Sequence, residues 1–102
     1  MYGTIARLQV KPGSLEALNQ WGSSRHGDLI PGYVSQYVFQ MDGNANELYL
    51  VVIFTDKDSY VANAQSPIQD ARYREMRAML SADPEWHDGE VIYAPELTAQ
   101  GL

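Results

Sequence analysis

Three polar side chains sit inside stretches of helical periodicity, where their chemistry needs explaining. Asn63 lies mid-helix, a position asparagine does not favour intrinsically, so its amide is a candidate for retention by function. The plainer account is a solvent-facing residue. Tyr60 and Tyr73 carry hydroxyls that need partners if buried; those partners are either structural or a ligand. His26 is of the residue type whose ordinary range suits a general base. As a cation it could equally stabilise the C-terminus of the first helix. Trp21 falls on the apolar stripe of that helix, as core or as the wall of a pocket.

Other constellations invite less chemistry. His87-Asp88-Gly89-Glu90 offers metal-ligand types, but consecutive strand residues point to opposite faces and only one histidine is present, so no metal site is expected. Arg72, Arg74 and Arg77 form a short basic run, and Asp70 with Arg74 is an i,i+4 pair suited to a solvated helix face. Met76 and Met79 read as core gap-fillers.

A chain of 102 residues fits one domain. Its net charge of −6, with Lys11 and Lys57 the only lysines, disfavours nucleic acid and anionic membrane surfaces. The absence of cysteine removes disulfides, thiolate metal sites and thiol nucleophiles. The segment MYGTIARLQV is interrupted by Arg7 and lacks the apolar core of a signal peptide, and no apolar run reaches membrane-spanning length, so a cytoplasmic home is expected.

The elements that would position these residues follow from periodicity. Residues 2–10 alternate as a strand with Thr4, Ala6, Leu8 and Val10 on one face. Lys11-Pro12-Gly13-Ser14 is a turn with Ser14 as N-cap, and Leu15, Leu18 and Trp21 mark a helix ending near His26-Gly27. After Pro31-Gly32 a second strand places Tyr33, Ser35, Tyr37, Phe39 and Met41 on one face and Val34, Gln36, Val38 and Gln40 on the other. Asp42-Gly43-Asn44 signals a hairpin into a third strand over about 47–55, apolar on both faces and so expected at the centre of the sheet.

Thr55 with Asp58 resembles a capping box opening a short helix, and Ser66-Pro67-Ile68-Gln69 starts another that carries Tyr73, Met76, Met79 and Leu80 as far as Asp83-Pro84. Val91 to Ala94 is expected as the last strand, with a domain over 1–95 and a patternless tail over 96–102. The order is βαββαβ, with the second helix broken at Pro67. This implies an α+β, ferredoxin-like domain with a four-stranded antiparallel sheet and helices on one face. The other sheet face is rich in Tyr, Phe, Val and Ile, and an uncovered apolar face on this scale implies pairing with a second copy.

The stretches ARLQVKPG at 6–13, PGYVSQYVF at 31–39, LVVIFTDKDSY at 50–60 and WHDGEV at 86–91 resemble the antibiotic biosynthesis monooxygenase family of the dimeric α+β barrel superfamily. The likeness spans about residues 2–94. It implies a homodimer through the open sheet face and, in one branch, cofactor-independent oxygenation of a small aromatic or quinone-type compound. That branch needs an apolar pocket, a base and donors for a developing oxyanion. The residues suited to it are Asn63, Tyr73 and His26 as catalytic groups, with Trp21, Tyr37, Tyr60, Arg72, Met76 and Trp86 lining a pocket between helices and sheet. No metal or other cofactor is expected.

The haem-degrading branch needs Asn, Trp and His where this chain has Ala6, Asn63 and Tyr73, which argues against that activity. The alternatives within the fold are a non-catalytic small-molecule binder or interaction module, and an isomerase or lyase.

Overall fold

The computed structural model of the chain describes residues 1–24 and 30–95. Its elements are β1 (Tyr2–Gln9), α1 (Leu15–Ser24), β2 (Tyr33–Met41), β3 (Asn44–Phe54), α2 (Lys57–Ala64), α3 (Pro67–Arg77) and β4 (Glu85–Glu90). The strands form one antiparallel sheet in the order β2-β3-β1-β4. The expected α+β ferredoxin-like fold is therefore present, with β3 and β1 inside and β2 and β4 at the edges.

Alternation in β1 and β3 decides which face carries the helices. Ala6, Leu8, Leu48 and Leu50 are buried together with Leu18, Met76 and Leu80 from the helical layer. The opposite face presents Ile5, Tyr37, Val51 and their neighbours, because directly paired residues share a face and Tyr37 pairs with Val51, which pairs with Ile5. Arg7 sits on that face between two carboxylates, donating to Glu47 Oε2 at 2.5 Å and to Glu85 Oε2 at 2.9 Å. Those bonds, Glu85 first, hold its guanidinium well above its ordinary pKa.

Several boundaries differ from expectation. β3 begins at Asn44 rather than near 47, because the hairpin is tight enough for Asn44 to pair with Met41. The last strand is Glu85–Glu90, not Val91–Ala94; β1 takes Glu85 through Glu90 as its ladder partners, and beyond them the Val91 N–H donates to Met1 O at 2.9 Å. The N-cap of α2 is Asp56 rather than Thr55. Asp56 is the extended residue next to the helix, with φ −155° and ψ 170°, so its carboxylate and not the Thr55 hydroxyl reaches the free N–H of the first turn, while the Thr55 N–H bonds Gly32 O at 2.8 Å. Helix α3 ends at Arg77, so Leu80 leaves the helix, bridges to Val10 and is wholly buried. The start of α3 is as expected, with Ser66 Oγ accepting the Gln69 N–H at 3.0 Å and Pro67 in the first turn. The end of α1 near His26-Gly27 and the tail 96–102 lie outside the described residues.

Candidate functional site

Gly32 fixes the corner where a cavity forms. Its φ of +81° is a left-handed conformation, and an added Cβ would stand 2.4 Å from Ser59 Cβ. Only glycine lets the turn before β2 lie this close to α2. Asp56 caps α2 by accepting the Ser59 N–H at 2.7 Å, a bond that also holds its carboxyl below the usual range. Because Asp56 does the capping, Asp58 is released from that duty and lines the cavity instead.

The cavity has a volume of about 460 Å³, within the range of small-molecule sites. Apolar walls come from Ile30, Pro31, Ala62 and Ile68, and polar groups from Asp58, Ser59, Asn63, Ser66 and Arg72. Asn63 and Arg72, on α2 and α3, thus meet at one site as hydrogen-bond and cationic groups beside a carboxylate. An amide and a guanidinium can stabilise an oxyanion, and a carboxylate can accept a proton.

The remaining sequence-selected residues do not join them. The Tyr60 hydroxyl donates to Asp88 Oδ1 at 2.7 Å, and its ring packs edge-on against Tyr2 and Phe54. Burial, then the bond to Asp88, push the phenol up to about 12, with the Thr4 hydroxyl pulling the other way. Thr4 is itself buried, and its hydroxyl makes no hydrogen bond of good geometry. Tyr73 packs against the core and lies with its ring 6.4 Å from that of Trp86. Trp86 is on the helix-facing side of β4, paired with Ala6.

Trp21 also packs on the core, and its indole N–H donates to Glu75 Oε2 at 2.7 Å. Met76 is a buried core residue. Tyr37 stands on the sheet face opposite the helices, so it cannot line a helix-side pocket with Asn63. His26 lies outside the described residues.

Sequence reasoning missed Asp58, Ser59, Ile30 and Pro31 as site residues. Asp58 was concealed by its apparent role in a cap, and the others by their place at a turn. Among the described residues no group of three His, Asp or Glu is placed to hold a metal, and no helix is long and apolar enough to cross a membrane.

Residues 1–75 match the family described as antibiotic biosynthesis monooxygenase. No curated protein matches the chain significantly. Among solved structures, one assigned to that family from Nitrosomonas europaea superposes with a TM-score of 0.78 at 15% identity, covering 90% of each chain. Another so assigned, from Chloroflexus aurantiacus, gives 0.74 at 21% identity over 91% of this chain and 94% of its own. SnoaB from Streptomyces nogalater, a cofactor-independent oxygenase in an asparagine-to-alanine form, gives 0.72 at 16% identity over 91% and 94%. At these identities the superpositions establish a shared fold.

Proposed function

Since the chain belongs to the antibiotic biosynthesis monooxygenase family, we propose that it oxygenates a small aromatic or quinone-type compound in the α2–α3 cavity without metal or flavin. One observation carries this reading: Asn63 and Arg72 converge with Asp58 on an apolar cavity of about 460 Å³. The description of SnoaB as a cofactor-independent oxygenase supports the reaction class.

The substrate supplies the electrons. A base removes one proton from an activated CH₂ carbon, and Asn63 and Arg72 stabilise the enolate or phenolate oxygen that results. Molecular oxygen then forms a C–O bond to that carbon, giving a peroxide. Cleavage of the O–O bond with loss of the second C–H proton leaves C=O and one water, so one O₂ is consumed per CH₂ oxidised. Asp58 is the carboxylate within the cavity that can take the first proton, and His26 is a second base for testing. The protein works as a homodimer joined through the sheet face that bears Ile5, Tyr37 and Val51.

Oxygen uptake by the pure protein against a panel of anthrones and quinols tests the reading. The expected result is turnover that drops about 10²-fold or more in Asn63→Ala or Arg72→Ala, the range for loss of an oxyanion donor. No rate above the uncatalysed one across the panel would contradict it. The second reading is a non-catalytic binder, favoured by the commitment of the Tyr60 hydroxyl to Asp88 and of Tyr73 to packing. It expects ligand-induced thermal stabilisation without oxygen consumption.

A further inference from the structure

Helix α2 forms one wall of the cavity, contributing Asp58, Ser59, Ala62 and Asn63. Yet none of its eight residues is buried. A helix this short is marginal by itself and needs packing to hold it. Its side-chain contacts with the sheet converge on Tyr60, whose ring meets those of Tyr2 and Phe54 at 5.3 and 5.7 Å and whose hydroxyl donates to Asp88 Oδ1 at 2.7 Å. Lys57 adds a cation–π contact, with Nζ 5.7 Å from the centre of the Tyr2 ring. The helix is flanked by two extended residues, Asp56 at φ −155° and ψ 170° and Ser66 at φ −74° and ψ 141°. Residues at element ends are the ones that absorb the backbone change of a hinge. Beneath the Tyr60–Asp88 bond lies a cost. Thr4 is the ladder partner of Asp88, is 5% exposed, and its hydroxyl makes no hydrogen bond of good geometry. Seated, α2 keeps this polar group from water; raised, it would let water reach it.

We propose that the Tyr60–Asp88 bond is a latch: closed, it seats Asn63 and Asp58 at the cavity, and released, it lets α2 swing on Asp56 and Ser66 as a lid that admits a ligand. The role as a lid rests on the cavity being the ligand site, as read above; the motion itself does not. Tyr60 and Asp88 are positioning residues, since they act on the cavity through α2. Two contributions of opposite sign set the balance. The hydrogen bond and ring packing of Tyr60 hold α2 down, and the buried Thr4 hydroxyl favours its release.

Hydrogen exchange in the full chain, with no substrate added, tests the motion. The amides of residues 60 and 65, bonded to Asp56 O and Val61 O, report α2, and those of Ala6 and Leu50 on the inner strands report the sheet. In the natural chain the α2 amides should exchange faster, by an opening that leaves the sheet intact. Tyr60→Phe and Asp88→Ala should each speed α2 exchange relative to the sheet by about fivefold or more, the scale of a hydrogen bond to a charged group. Thr4→Val removes the buried hydroxyl and should slow α2 exchange by about fivefold or more. A bond that only stabilises the fold would move α2 and the sheet together. Equal exchange at the two sets of amides, parallel changes in both, or no slowing in Thr4→Val would overturn the latch. Oxygen uptake enters none of these outcomes, so the latch and the proposed reaction can fail separately.

Discussion

The two edges of the sheet are built to opposite rules. β4 is short, and Glu85, His87, Asp88 and Glu90 charge or polarise four of its six residues. It is also pinned from the helical layer by Tyr60. β2 is half as long again, neutral throughout, and leaves aromatic and aliphatic side chains open on both faces. The cavity with Asn63 and Arg72 opens beside the turn that leads into β2, formed in part by Ile30 and Pro31. One edge is therefore protected from partners, while the other is available to a partner and adjoins the site. Charge placement, more than hydrophobicity in total, separates the two.

The largest effect that sharpens this contrast is at the glycines. Gly32→Ala, at the β2 side, must place a Cβ in a left-handed backbone against Ser59, and should cost about 2 kcal/mol or more by chemical denaturation. Gly89→Ala in β4 has open space around its Cβ and should change stability by about 0.5 kcal/mol or less. Equal losses at the two positions would break the distinction.

A smaller effect lies on the β4 side, beside a contribution of the same sign from Tyr33 in β2, whose phenol burial also raises. The folded protein holds the Tyr60 proton up to about 12, while an unfolded tyrosine releases it near 10. Between those values the folded state binds more protons, so stability falls as pH rises through the window and is fully present below it. Tyr60→Phe should flatten that fall when denaturation midpoints at pH 9 and 11 are compared. An unchanged slope would show that the Tyr60–Asp88 bond does not govern it.

Much of this was legible in the sequence, for identifiable reasons. Thr4, Ala6 and Leu8 alternate with Ile5 and Arg7, and that period fixed β1 and its inward face. Ser66 and Pro67 announced α3 because capping chemistry is local. β4 was illegible because its six residues are all exposed and show no apolar period, whereas Val-Ile-Tyr-Ala at 91–94 has strand propensity but no ladder among the described residues. Tyr37 was assigned to the pocket because a period of two separates faces without saying which one the helices cover. Asn63 and Arg72 stood out as polar residues on helices, yet their meeting at one cavity depends on the bend between α2 and α3, which no local pattern encodes.

Sedimentation velocity on three proteins tests the edge contrast most directly: the natural chain, Phe39→Lys in β2 and His87→Lys in β4. A lysine on the neutral edge faces desolvation in any pairing there, while one on the charged edge joins residues already kept in water. The account predicts a dimer for the natural chain, a monomer or at least a hundredfold weaker dimer for Phe39→Lys, and a dimer close to the natural one for His87→Lys. Equal weakening by the two lysines, or a natural chain that sediments as a monomer at all concentrations, would contradict it.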